Sequence, residues 1–138
     1  MFDPYRDLVE IQKVLVNDSE ILRLMDLTNA DLATKARRII RTSDYDDLAN
    51  QERRLCIFFR PSRRPPNNMQ TEEVIQIDCH VPKSESHISY QIQQAVLQAI
   101  RNKKINGRYL LFDGQLGELP TANGYFCVGQ RFKYYAVI

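Results

Sequence analysis

Asp78 and His80 stand two residues apart in the run Val74-Ile75-Gln76-Ile77-Asp78-Cys79-His80-Val81. A carboxylate and an imidazole on one face of a strand invite acid–base chemistry. A metal-dependent nuclease built there would want a second acidic residue and a lysine on an adjacent strand, and Glu72, Glu73 and Lys83 are only loosely placed for that. The plainer reading is that both are polar-face residues, solvent-facing or hydrogen-bonded. Asp44, Asp46 and Asp47 form a second acidic group, but the glycine and distal glutamate of a calcium loop are missing, so a solvated loop is expected. Cys56, Cys79 and Cys127 are odd in number, far apart and set in apolar strand patterns. They read as buried free thiols of a reducing compartment, not as a disulfide framework or a zinc site. There is no glycine-rich phosphate loop, His-Glu-x-x-His, Cys-x-x-Cys or nucleophile elbow. The sequence thus supplies no catalytic argument, and neither enzyme activity, cofactor nor metal is expected.

Two other groups of residues point to binding. Tyr109, Tyr125, Tyr134 and Tyr135 lie near Arg108, Arg131 and Lys133, an arrangement that can stack bases, although strand aromatics more often pack across strands. The most unusual stretch is Arg60-Pro61-Ser62-Arg63-Arg64-Pro65-Pro66-Asn67-Asn68-Met69-Gln70. It holds three arginines and three prolines and has almost nothing to bury. It joins two expected antiparallel strands, yet it is much longer than the roughly 2–5 residues of a hairpin loop. One reading is a plain surface loop. The sharper one is a contact arm that orders on assembly, since a proline-rich segment loses less entropy when fixed. Arg60, Arg63, Arg64, Asn67 and Asn68 are then the candidate partner-binding residues.

The elements that must position these groups follow from periodicity. Ile75, Ile77, Cys79 and Val81 share one face of a strand that Pro82 ends, with Gln76, Asp78 and His80 on the other. Ser84 or Ser86 can cap the next helix, whose stripe is Ile88, Ile92, Val96 and Ala99/Ile100 with Ala95 beside it and the glutamines between facing water. A one-faced strand followed by a one-striped helix packs with the helix across the sheet. Before this unit, Asp3-Pro4 starts a helix with stripe Leu8, Ile11 and Leu15. A short segment from Glu20 to Leu27 follows. Thr28 or Asn29 then caps a third segment in which Leu32, Ala36, Ile39 and Ile40 share a face. Leu55–Phe59 is a short strand. Asn106-Gly107 is a turn, Arg108–Phe112 a strand, and residues 113–124 an irregular, glycine-punctuated connection. The last strand places Phe126, Val128, Phe132, Tyr134, Ala136 and Ile138 on one face, with Gly129 marking a bulge. The fold class expected is α+β: N-terminal helices, then a mostly antiparallel sheet of about four or five strands with one central helix across it. A single domain is expected over 1–138, with a helical part over 1–41 and the sheet over 55–138 carrying a helix at 86–101.

Composition narrows the function classes. At 138 residues the chain can bury a real core as one domain. A hydrophobic share of 43% is ordinary for a folded protein, and a net charge of +2 implies no polyanionic partner. No apolar run approaches the roughly 20 residues of a membrane span. Met1-Phe2-Asp3-Pro4 lacks a basic region followed by an apolar one, so no signal peptide is expected.

The order of elements carries a resemblance. Leu55–Phe59, the Arg/Pro/Asn loop, Val74–Val81 running through Pro82 and Ser84 into Ile88–Ile100, then Gly107-Arg108-Tyr109-Leu110-Leu111-Phe112-Asp113-Gly114 and a closing Arg131-Phe132-Lys133-Tyr134 strand form one pattern. Over roughly residues 30–138 it resembles the tail completion and tail terminator proteins of long-tailed bacteriophages. The N-terminal helices are longer than that pattern implies, which fits a related neck component as well. The resemblance implies a structural virion assembly protein: a hexameric ring of self-associated subunits that caps the tail tube, joins it to the head connector proteins, and lies at the head–tail interface of the virion after synthesis in the host cytoplasm. It implies no cofactor, membrane or specific nucleic acid. The alternative, from the residues, is a small nucleic-acid-binding protein using the Arg60–Arg64 loop and the tyrosine-bearing sheet. Near-neutral charge weighs against it.

Overall fold

A computed structural model describes residues 3–43, 52–63, 69–101, 103–121 and 124–137. The helices are α1 (Pro4–Val16), α2 (Ser19–Leu24), α3 (Leu32–Arg38) and α4 (Ser86–Ile100). The strands are β1 (Ile39–Ile40), β2 (Arg54–Arg63), β3 (Gln70–Pro82), β4 (Lys104–Ile105), β5 (Arg108–Tyr109), β6 (Leu111–Leu119) and β7 (Tyr125–Val137). The architecture is α+β. A five-stranded sheet in the order β1-β2-β3-β7-β6 is antiparallel throughout except at β1–β2, and α4 crosses it over β3 and β7.

Local chemistry sets the helix starts. Asp3, Asp18 and Asp31 each accept a hydrogen bond from a free amide of the first turn of α1, α2 and α3, at 3.4, 3.0 and 2.8 Å. Asp31, not Thr28 or Asn29, is therefore the third cap. Helix α4 has no side-chain cap; a 3₁₀ turn over Lys83–Glu85 leads into it in place of Ser84 or Ser86. Arg53 fixes this corner, forming a two-pronged pair with Glu85 at 3.0 Å on each prong while Arg53 Nη1 donates to Leu24 O at 2.6 Å.

One hydrophobic cluster runs from Leu8, Ile11 and Leu15 of α1 through Ile92 and Val96 of α4 to Ile75, Ile77, Val128 and Phe132 of the sheet. The apolar sides of the strand–helix unit match the sequence pattern, and β7 keeps Val128, Phe132, Tyr134 and Ala136 on the side facing α4; the polar side of β3 is buried as well, and Ile138 lies outside the described residues. Four expectations need correction. Helix α3 buries none of its residues and Leu32 is 70% exposed, because the helix stops at Arg38 and the β-branched pair Ile39–Ile40 pairs in parallel with β2. Gln93 does not face water: it donates to Gly129 O at 2.6 Å and its own carbonyl accepts from Gln130 Nε2 at 3.0 Å, locking α4 to β7. The glycine-punctuated connection is largely strand β6, because two bulges, at Phe112/Gly114 and Gln115/Gly117, absorb the residues that break the alternation. Gly129 marks no bulge in β7, whose register against β3 is continuous, but faces the Gln115/Gly117 bulge of β6; a Cβ there would lie 2.5 Å from Asp78 Oδ1 and 2.9 Å from Leu119 Cδ1, so any larger residue must displace those side chains. The Asn106-Gly107 turn is present between β4 and β5, with φ of 50° and 83°.

Candidate interaction surface

The arm residues divide between strand and connection. Arg60 and Arg63 lie in β2, where Arg60 pairs with Val74 and Arg63 with Glu72 across an irregularity that accommodates Pro61. Gln70 opens β3 opposite Val137 of β7. Long partner strands carry polar residues into a ladder that their own sequence would not announce, so the expected loop over Arg60–Gln70 is shortened at both ends. Arg64, Asn67 and Asn68 lie outside the described residues, as do Asp44, Asp46 and Asp47.

At this end of the sheet four charged side chains interlock on one face. Arg63 Nη2 meets Asp113 Oδ2 of β6 at 3.0 Å and Arg63 Nη1 meets Glu72 Oε2 at 3.7 Å. Lys133 of β7 reaches Glu72 Oε1 at 3.3 Å and Asp113 Oδ1 at 3.7 Å. Two cations and two anions thus alternate across four strands. Bonding to Asp113 raises the Arg63 guanidinium above its ordinary range, and bonding to Glu72 does the same for the Lys133 ammonium. Arg63 is committed to its own chain. Arg60 is exposed, and its charge acts on buried Asp78.

Around this clasp lie exposed apolar side chains. Met69 and Val137 are 71% and 66% exposed, and Leu111, Phe112, Tyr109 and Tyr135 are also open to solvent. They gather where β2 ends, β3 begins, β7 ends and β6 begins. Clustered large apolar groups rimmed by charge are the usual mark of a docking surface. The sequence concealed most of this: Asp113-Gly114 looks like a turn, and Leu111 and Phe112 look like the end of a short strand.

The candidate catalytic pair is placed differently. Asp78 and His80 are 9% and 3% exposed, and Gln76 beside them is buried, so this face of β3 does not meet water as expected. Burial lifts the Asp78 carboxyl to about 6, against the hydrogen bond from Gln76 Nε2 at 2.7 Å and the charges of Arg60 and Arg131. Burial, with the charge of Arg54, lowers the His80 imidazole to about 4, and Cys56 Sγ lies 3.8 Å from its Nδ1. Glu72 and Glu73 do not converge on this pair: Glu72 belongs to the clasp and Glu73 accepts from Thr71. Among the described residues no three His, Cys, Asp or Glu side chains are grouped to hold a metal ion. All three cysteines are buried free thiols.

The tyrosine-bearing sheet is also partly committed to the fold. Tyr134 is buried and donates to Asp7 Oδ2 at 2.6 Å, and Arg131 Nε donates to Gln76 Oε1 at 3.2 Å. Asp7, unmarked by any motif, is itself buried at the start of α1. Its other oxygen accepts from Asn106 Nδ2 at 2.7 Å, and Arg108 Nη1 lies 3.5 Å from Oδ2. Compared with known proteins, the chain matches no family model and no curated protein.

Proposed function

We propose that this chain is a structural virion assembly protein: a tail completion or tail terminator subunit of a long-tailed bacteriophage, whose copies form a ring that caps the tail tube and joins it to the head connector. The observation that carries the reading is the sheet end around the clasp, where the end of β2, the start of β3 and a set of exposed apolar side chains stand together with exposed Arg60. A surface of that kind suits protein partners: apolar area supplies the driving force and the surrounding charges supply orientation. The element order of helices, arm-bearing hairpin, central strand and crossing helix supports it further. The role needs no cofactor and no catalytic residue. It would be exercised at the head–tail interface of the virion, after synthesis in the host cytoplasm.

A nucleic-acid-binding role has less to recommend it, since Tyr134, Arg131 and Lys133 are engaged within the fold. Light scattering of the purified chain with and without tail tubes, run beside a DNA mobility shift, separates the two. Co-sedimentation with tubes and no shift of DNA is the expected result. A salt-sensitive DNA shift without tube binding would replace the proposal with the nucleic-acid reading.

A further inference from the structure

Where α1, α3, β1 and the start of β2 meet, they leave a cleft of about 400 Å³ lined by Arg37, Arg41 and Arg54 together with Tyr5, Gln12 and Thr42. The fold brings these residues together from four elements. Helix α3 ends at Arg38, and β1 then pairs Ile39 in parallel with Leu55, which sets the arginines flanking β1 beside Arg54 at the start of β2. Gln12 Nε2 donates to Ile39 O at 2.6 Å and holds α1 against β1. Arg41 Nη1 donates to Tyr5 Oη at 2.7 Å, and its guanidinium lies 5.0 Å from the centre of the Tyr5 ring. Both contacts hold this arginine in place and leave its charge uncancelled. Arg54 is buried, Arg41 half-buried and Arg37 exposed, so positive charge extends from the buried side of the cleft to its mouth. Among the described residues no carboxylate lines it. The crowding is felt next door. Burial, opposed by Glu52, and the charges of Arg53, Arg54 and Arg37 hold the Arg38 guanidinium below its ordinary range.

From this cleft we infer a binding site for a small phosphate-bearing molecule, with the phosphate held by Arg37, Arg41 and Arg54. A phosphate monoester carries about −1.5 to −2 charge at pH 7 and presents three acceptor oxygens. It can therefore serve several guanidinium forks that approach from different elements. A carboxylate has one charge and one plane, and a single fork saturates it. The cleft also has room beyond the phosphate, since its volume falls within the roughly 300–1,000 Å³ of small-molecule pockets. Ala36 and Ile40 line it too and give the remainder of the ligand an apolar wall. The site lies at the start of β2, whereas the clasp lies at its end, so the two surfaces are separate.

Isothermal titration of the full-length chain, in EDTA and at fixed ionic strength, tests this with adenosine monophosphate as the probe. It should bind with a Kd below about 1 mM, at least about tenfold tighter than acetate, and inorganic phosphate should compete with it. Amide shifts should gather at Gln12, Arg37, Arg41 and Arg54. Arg37→Gln and Arg41→Gln should each weaken binding at least about tenfold, the size of one charge-assisted contact. Arg101→Gln, at an exposed arginine after α4, should leave it unchanged. Thermal unfolding checks that each variant keeps the fold. Asp44, Asp46 and Asp47 follow Thr42 in the sequence, outside the described residues. Changing all three to Asn removes only negative charge and should not weaken binding. No binding by the parent at millimolar probe, acetate binding as well as the nucleotide, phosphate failing to compete, an Arg37 or Arg41 variant binding like the parent, or weaker binding by the Asn variant overturns the inference. So does a short oligodeoxynucleotide that binds at least about tenfold tighter than the mononucleotide with a steep salt dependence, which would assign the cleft to a nucleic-acid backbone. None of these outcomes depends on tail-tube binding.

Discussion

Removing the Asp7 carboxylate should destabilise the fold more than its place near the start of the chain implies. Asp7 is 2% exposed and joins α1 to β7 and the β4–β5 hairpin at once: Tyr134 Oη donates at 2.6 Å, Asn106 Nδ2 donates at 2.7 Å, and Arg108 Nη1 lies 3.5 Å away. Burial and the Asp7 carboxylate together hold the Tyr134 phenol above its ordinary range, so it remains a donor at any physiological pH. In Asp7→Ala the buried Tyr134 hydroxyl loses this acceptor at a cost of about 1–3 kcal/mol, and the part-buried Asn106 amide loses a bond that water can partly replace. Arg108 also loses its ion pair, but its side chain is 29% exposed and can turn to water, so this adds no more than about 1 kcal/mol. A total of about 2–4 kcal/mol is expected, a large part of the roughly 5–15 kcal/mol that holds a domain together. Tyr134→Phe leaves Asp7 two partners and should cost about 1–3 kcal/mol. Urea denaturation of parent, both single variants and the double variant gives the coupling energy, with equal m-values confirming comparable denatured states. The double variant should lose at least about 0.5 kcal/mol less than the sum of the singles. An Asp7→Ala loss below about 1 kcal/mol, or strict additivity, would refute the network as a stabilising unit.

Truncating Ile77 or Val96 to Ala, each fully buried between β3 and α4, should cost about 2–4 kcal/mol, and a loss under about 0.5 kcal/mol on denaturation would contradict that packing. Gly129→Ala should lose about 1–3 kcal/mol, because the added methyl meets the Asp78 carboxylate and Leu119; an unchanged urea midpoint would show that the contact relaxes freely. Asp78 and His80 should give opposite pH dependences. The Asp78 pKa is raised to about 6 in the fold, so its contribution is present at low pH and is lost as pH rises from about 4 to 6; the His80 pKa is lowered to about 4, so its contribution is lost as pH falls from about 6.5 to 4. The parent should therefore be nearly flat across that window, with His80→Asn losing stability as pH rises and Asp78→Asn gaining it; slopes of the same sign in both variants would contradict the assignment. Arg60→Ser should move stability by less than about 0.5 kcal/mol, whereas Arg63→Ser should lower the thermal midpoint through loss of the clasp.

The central unit of the fold is legible because its apolar pattern is local, although the strand turns out to be buried on both faces. Ile75, Ile77, Cys79 and Val81 alternate, and Ile92, Val96 and Ile100 repeat at helical spacing, so pattern and packing coincide. What the sequence hides depends on partners distant in the chain. Arg60-Pro61-Ser62-Arg63 has no apolar alternation and becomes strand only because β3 supplies the ladder. Gln76, Asp78 and His80 look solvated, yet Gln76 and Asp78 satisfy one another and the face is buried. The clasp joins residues 50 positions apart, Arg63 and Asp113, and the Asp7–Tyr134 bond joins residues 127 apart. No local periodicity reports such pairings. The arm, by contrast, stands out because stacked arginines and prolines serve no core.

Electron microscopy of particles assembled without this chain tests the proposed role most directly. Filled heads and separate, unjoined tails, with tubes of irregular length, are expected, and joining should be restored when the purified chain is added back. Joined particles with tails of normal length in its complete absence would contradict it.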